Sequence, residues 1–456
     1  MSRSIFVTGL RRPGFANALI IMMCIFATSG FAAERVRQGS VSLPNSGAEA
    51  AQEAFLYGLA QLHNFQYDDA AAAFREAQQI DPDFALAYWG EAMTYNYPVW
   101  ADQDFDAAIE VLQRLGATPQ LRQAKAATQR EKDYLHAIEV LYGEGEKHQR
   151  DFAYSAEMAR LNQIYPDDQE LASFYALSIL GTAHQGRDFA IYMRAAAVVQ
   201  EVFRINPDHP GAAHYLIHSF DDPVHAPLGL RAALLYSEIA PNASHAQHMT
   251  SHIFLALGRW PDVVRANQRA IAVSNRARQK SGRPQRNCGH YDSWLAYAYE
   301  RNNNSAAAID MIRNCHNEAK TAEPASPSID VDTSALHSFL YMRARYLIDT
   351  EDWSGEIAAL TIEIPDDLIP ETVTWEFIEG LGAARRGELS EARRHLMNLD
   401  EAARAFRQYL DEADYDASRL EIARPGILMQ QLEGLILFTD GDQAGGIKLL
   451  QAAADA

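Results

Sequence analysis

Long alternations of Val, Ile and Thr are missing from this chain. Alanine-rich apolar stretches recur instead, separated by short polar or proline-bearing breaks. That pattern predicts helices rather than strands, and the helices come in pairs. In "FLYGLAQLHNFQYDDAAAAFREAQQIDPDFALAYWG" (55–90) a polar break divides two apolar stretches, and Pro82 closes the second, because a residue without an N–H cannot continue a helix. "INPDHPGAAHYLIHSF" (205–220) and "IAPNASHAQHMTSHIF" (239–254) each open a helix after a proline, with Pro207 and Pro241 34 residues apart. Further pairs read at 290–315, 335–360, 377–399 and 426–454, while the spacing between 100 and 165 is irregular. The whole predicts an all-α chain of roughly eight to ten helical hairpins.

The hairpins carry a signature. Gly58, Ala70, Phe74, Ala77 and Pro82 fall where a 34-residue tetratricopeptide repeat puts its small, aromatic and turn residues, so the chain resembles that family. The stretch 214–260, with the "YWG" and "HNF" features, is similar to a group of exported bacterial proteins with tetratricopeptide domains, over most of residues 50–270. The resemblance implies a right-handed α-solenoid that binds peptides or protein partners along its concave face. The expected plan is a leader at 1–32, an array with a histidine-rich groove at 50–270, a basic loop at 271–289 and further hairpins at 290–456.

The leader is read from Arg11 and Arg12, the ten apolar residues "ALIIMMCIFA" (18–27), and Gly30 and Ala32 standing at a cleavage site. This is the order of a secretory signal, and the run is too short to span a bilayer. The expected location is periplasmic or secreted. The net charge of −20 becomes about −23 once Arg3, Arg11 and Arg12 leave with the leader, which disfavours nucleic acid and anionic membranes. Two cysteines then remain. Cys288 precedes the first helix of its hairpin and Cys315 ends the second. Antiparallel helices bring those ends together, so a disulfide is expected in an oxidising compartment, with two separate thiols as the alternative.

Candidate chemistry lies in the fifteen histidines. His214 and His248, His218 and His252, and His184 and His218 are each 34 residues apart, where chance gives about half a pair. Counted from Pro210 and Ser244, they occupy positions 5 and 9 of a first helix, with His245 at position 2. In the tetratricopeptide family such positions face the groove. Two rings at i, i+4 chelate one ion from one helix, as "HYLIH" (214–218) and "HMTSH" (248–252) provide. The expected metal ligands are His184, His214, His218, His248 and His252, supplemented by His225, His245 and Asp221. Imidazole with carboxylate suits Zn, Fe(II) or Cu(II).

Three functions remain open from sequence. The first is a scaffold that holds a divalent metal, or a ligand through one. The second is a metal-dependent enzyme in which Asp221 or Asp222 serves as base. The third is a metal-free repeat protein that takes a peptide, protein or small molecule in the groove. His63, Trp89, Glu91 and Asn96 are weaker candidates for the groove's N-terminal end; packing and capping account for them better.

Overall fold

Helices α1 (Gln52–His63), α2 (Tyr67–Ile80) and α3 (Ala85–Met93) meet where the sequence places its smallest residues. Phe74 of α2 is fully buried between Gly58 and Gly90. A Cβ at those glycines would stand 3.0 Å and 2.5 Å from its ring. Removing both Cβ atoms lets three helices close on one aromatic side chain, the packing that the tetratricopeptide pattern predicts.

The structure, a computed structural model, describes residues 38–321, 334–412 and 419–456, all within one compact unit. The leader expected at 1–32 lies outside them. After α3 comes the one antiparallel ladder among the described residues, β1 (Asn96–Tyr97) with β2 (Asp102–Gln103). The irregular stretch forms α4 (Phe105–Leu115), α5 (Pro119–Lys125), α6 (Gln129–Leu141) and α7 (Lys147–Ile164). Regular hairpins follow: α8 (Gln169–Leu180) with α9 (Phe189–Ile205), and α10 (Pro210–Phe220) with α11 (Ala226–Ile239). Next are α12 (Ser244–Ala256) with α13 (Trp260–Lys280), and α14 (His290–Arg301) with α15 (Ser305–Ala319). The remainder is α16 (Ala335–Thr350), α17 (Ile369–Arg385), α18 (Leu389–Glu412), α19 (Arg419–Asp440) and α20 (Gln443–Asp455).

Consecutive helices pack on each other, and alternate first helices touch: α8 on α10, α10 on α12, α14 on α16 and α17 on α19. The result is an all-α solenoid of helical hairpins. Two hydrophobic cores share it. One runs from Leu43 to Val263 and includes Ala298; the other runs from Cys288 to Ile436. Cys288 and Cys315 are joined in a disulfide, their Cα atoms 4.6 Å apart.

Two boundaries differ from the sequence expectation. The basic segment 271–289 is a loop only after Lys280, because α13 continues through "NRARQK", whose Arg, Ala, Gln and Lys are good helix formers. The stretch 335–360 is not a helical pair: α16 ends at Thr350 and the chain runs on irregularly to Leu368. There the buried Arg343 donates to the carbonyls of Ile357 and Ala358 and pairs with Glu379 at 2.6 Å. One side chain thus satisfies backbone groups that a helix would have satisfied itself.

An extended N-terminal segment straps the array. Ser40 N–H donates to the carbonyl of Asp208, and Ser42 N–H to Glu170 at 2.7 Å. Ser46 donates to Glu131 from both backbone and hydroxyl. The strap therefore crosses the starts of α10, α8 and α6 in turn.

Phe74→Ala would empty the joint of α1, α2 and α3. The expected cost is about 3–5 kcal/mol, read as a lower denaturation midpoint by circular dichroism. An unchanged midpoint would refute this account of the packing.

Candidate metal centre

The last turn of α1 builds one side of the site. Gln66 N–H bonds to the carbonyl of Gln61 and Phe65 N–H to that of Leu62, which is a Schellman close. Its left-handed position usually belongs to glycine, but here Phe65 holds it at φ 54°. The ring lies 4.3 Å from that of His214, 5.8 Å from His218 and 5.5 Å from His245, centroid to centroid. Trp100, at the tip between β1 and β2, stands 6.3 Å from His245. Tyr236 donates to the Asn64 side chain at 2.9 Å. The "HNF" turn is thus seated against α10, α11 and α12.

Gly211 of α10 makes this possible, since a Cβ there would sit 2.3 Å from His63 Nδ1. The same turn orients the first ring of the ladder: His214 Nδ1 lies 2.7 Å from the carbonyl oxygen of His63. A carbonyl only accepts, so His214 carries its proton on Nδ1 and presents a bare Nε2.

Two clusters of ring nitrogens stand on this wall. His214 Nε2 lies 3.1 Å from His245 Nε2 and 3.1 Å from His218 Nε2, and ligand atoms of the three residues all lie within 4.8 Å of one another. One rung further, His248 Nε2 lies 3.1 Å from His252 Nε2 and 3.0 Å from His290 Nε2. Trp294 packs beside His248 and His252, with ring centroids 4.9 Å and 4.5 Å away. Burial is the first cause pushing five of these rings, His214, His218, His245, His248 and His290, below the ordinary value of 6.5. His214 and His290 fall to about 3, and His218, His245 and His248 fall well below it. Neighbouring imidazoles add to the effect. These five rings are therefore neutral at neutral pH, the form that ligates metal.

A third cluster, His63 with Glu170 and His209, also has ligand atoms within 4.8 Å of one another. Here a carboxylate stands between the two rings. His209 Nδ1 accepts Ala212 N–H, capping α10, so its proton sits on Nε2, 3.3 Å from Glu170. His63 Nε2 is 2.7 Å from the same carboxylate, and Tyr215 OH is 2.9 Å from Nδ1. With Ser42 N–H on the other oxygen, one buried negative charge accepts two hydrogen bonds and has the His209 ring beside it. Burial alone would raise Glu170, yet the two imidazoles hold it well below the carboxylate range. This cluster is a clasp joining strap, α1, α8 and α10.

Other predicted residues lie apart. His184 is not on the ladder: it follows α8 and bonds to Asp151 at 2.8 Å. Its 34-residue interval misleads because α8 starts at Gln169 and α10 at Pro210, so those helices are not 34 apart. His225 sits at the start of α11, bonded to Asp222. Asp222 also receives Arg187 and the N–H groups of Val224 and His225. These contacts overcome burial and hold it down at about 2, so it closes a turn and is not a poised base. Asp221 is spent on His252 Nδ1 at 2.7 Å. Trp89 packs on Tyr134 and Phe174, Glu91 binds Arg75, Arg114 and Gln78, and Asn96 lies in β1. His290 was the residue that spacing did not reveal. It opens α14 as His245 opens α12, but the long α13 and its loop break the 34-residue count.

No family model and no curated protein matches the chain. Among solved structures, a human IFIT1 dimer with m7Gppp-AAAA is similar at 11% identity and a TM-score of 0.41, covering 91% of each chain. The APC/C hetero-tetramer Cut9–Hcn1 is similar at 14% identity and a TM-score of 0.31, covering 91% of this chain and 78% of that one. Among the described residues, no helix is long and apolar enough to cross a membrane.

Two outcomes are expected. Glu170→Ala removes the acceptor of the clasp and lowers stability by about 3–5 kcal/mol, measured by urea denaturation; a neutral effect would show that the clasp bears no strain of assembly. The second concerns pH. His63, like the ladder rings, is held below 6.5, by burial first. Below that value the unfolded chain takes up protons that the folded chain refuses, so stability must fall with pH. In the presence of a chelator, the urea midpoint should drop steadily from pH 7 to pH 5. A flat profile would mean that these rings are not buried neutral.

Proposed function

We propose that this chain is an exported helical-repeat scaffold that holds a divalent transition metal through Nε2 of His214, His218 and His245. One observation carries the reading. The His214 Nε2 lone pair, fixed by the His63 carbonyl, faces two other ring nitrogens at 3.1 Å. One lone pair accepts one good hydrogen bond, so protons leave a ring unmatched, whereas a single ion accepts all three. The spacing agrees. Two nitrogens at 2.0–2.1 Å on a tetrahedral ion stand about 3.3 Å apart. Imidazole donors suit Zn, Cu or Fe(II). The His63 carbonyl is the outer partner that such sites use to fix a ligand's tautomer.

The alternatives have less support. A peptide along this wall would meet Phe65, which is 5% exposed and already fills it. An enzyme needs a base, and Asp221 and Asp222 are both committed to other groups. The charge of −20 disfavours nucleic acid. The disulfide suits the oxidising compartment that the leader addresses.

Elemental analysis of the purified chain tests this. Bound Zn, Cu or Fe is expected. His218→Ala should weaken uptake by about 100-fold or more, beyond the 10–100-fold that loss of an outer partner costs. Undiminished uptake in His218→Ala and His245→Ala would overturn the proposal.

A further inference from the structure

The basic segment of the sequence has no part in the metal site. Between Val263 and Tyr291 the chain carries seven Arg and Lys residues and no Asp or Glu, although acids outnumber bases 60 to 40 overall. The structure sorts the seven. Arg278 donates from Nε to the carbonyl of Pro284 at 2.8 Å, and Arg286 from Nε to that of Cys288 at 2.8 Å. Asn275 donates to the carbonyl of Arg286 and accepts its N–H. These contacts fold the returning loop onto the end of α13, where the disulfide of Cys288 anchors it. Arg265 is paired with Asp262. Arg269, Arg276 and Lys280 are exposed, and none of them makes a hydrogen bond or an ion pair among the described residues. Arg283 is exposed beyond them, with Ser281 on its Nε.

The exposed bases form a stripe. At 3.6 residues per turn, positions 265, 269, 276 and 280 fall within about 60° of one another, and Arg269 to Lys280 spans about 16 Å. Like charges at i, i+4 weaken a helix, yet Arg265 with Arg269 and Arg276 with Lys280 are two such pairs. The helix dipole favours bases in a last turn, which accounts for Lys280 but not for Arg269 in the middle of α13. At the far end, burial and then Asp68 raise the Asp69 carboxyl of α2, while Arg283 and Lys280 pull it the other way. Asp69 bonds to Gln61 and not to either of them.

We infer that Arg269, Arg276 and Lys280, continued by Arg283, dock an acidic segment of a partner protein. Guanidinium forks match carboxylates. An extended chain rises about 3.3 Å per residue, so a run of about five residues covers the stripe. The length of the stripe chooses among polyanions. A nucleic acid or an anionic bilayer extends well past it and brings negative charge against a body of net charge −20. A short acidic segment meets the stripe alone, because charges more than about 8 Å away are largely screened at physiological salt. The docking needs no metal ion, so it stands or falls independently of the histidine site.

Fluorescence anisotropy of a labelled hexaglutamate peptide with the purified, chelator-stripped chain at low ionic strength tests it. Saturable binding that weakens as salt rises is expected. Arg269→Glu with Arg276→Glu and Lys280→Glu should weaken it by about 10-fold or more, since three exposed attractions become repulsions. Arg194→Glu with Arg204→Glu and Lys448→Glu changes the net charge equally from other exposed positions and should leave binding within about 3-fold. Circular dichroism should be the same for both variants, whose substituted side chains are all exposed. No binding by the unsubstituted chain would overturn the proposal. So would equal losses in the two variants, which would mean that net charge alone is read. Tighter binding of phosphatidylglycerol vesicles or single-stranded DNA, lost on reversing the stripe, would assign the surface to another polyanion and overturn it too. Self-association in sedimentation equilibrium that the same reversal abolishes would make the occupant a second copy of this chain, with the same consequence.

Discussion

The histidine-bearing wall of α10 and α12 is arranged around three consecutive residues at the end of α1. Phe65 accepts a left-handed backbone, which costs an L-residue about 1–2 kcal/mol. A glycine would relieve that strain but leave the space among His214, His218 and His245 unfilled. Gly211 answers from the opposite side, giving up its Cβ where His63 sits. The His63 carbonyl then decides which nitrogen of His214 carries the proton. One turn therefore fixes packing, fills the groove and sets the tautomer from which the ladder's chemistry follows.

The molecule contains three clusters rich in histidine, and proton accounting separates them. Around Glu170 the carboxylate accepts from His63 and Ser42, and His209 Nε2 stands 3.3 Å away as an ionic neighbour. Around His214 and His248 the surplus is of acceptors. The fixed protons of His214, His248 and His252 are directed outward, to a carbonyl, an amide and a carboxylate, and their Nε2 atoms meet other ring nitrogens. Proximity of ligand atoms does not distinguish these cases, since the Glu170 cluster is as tight and as buried as the His214 cluster. The difference lies in what surrounds each ring.

Much of this was legible in the sequence, and the limits have physical causes. The all-α class followed from apolar spacing, a local property, and the packing of Gly58 against Phe74 was implied by the tetratricopeptide resemblance. The His214/His218 and His248/His252 pairs were visible because α10 and α12 start 34 residues apart. The same count misplaced His184 and hid His290, because repeat registry survives only where connecting loops keep their length. Helix α13 and the loop after it lengthen one repeat, and the turn after α8 lengthens another. The contacts of His63 with α8 and α10 were illegible for a different reason. They span 107 and 152 residues and arise from the curl of the array, which no local pattern encodes.

The position of the second cluster bears on how the array holds together. In a solenoid each hairpin is stabilised mainly by its neighbours, so the weakest seam sets the cooperativity of the whole. The change from one hydrophobic core to the other falls between α13 and α14, and α12 and α14 touch far less than α10 and α12 do. Two devices cluster at that seam. The Cys288–Cys315 disulfide ties the entry of α14 to the end of α15, and His290 reaches back from α14 to His248. His290 thus joins α14 to α12 at the change of core, its Nε2 3.0 Å from His248 Nε2, beside the disulfide that ties the entry of the same helix to α15.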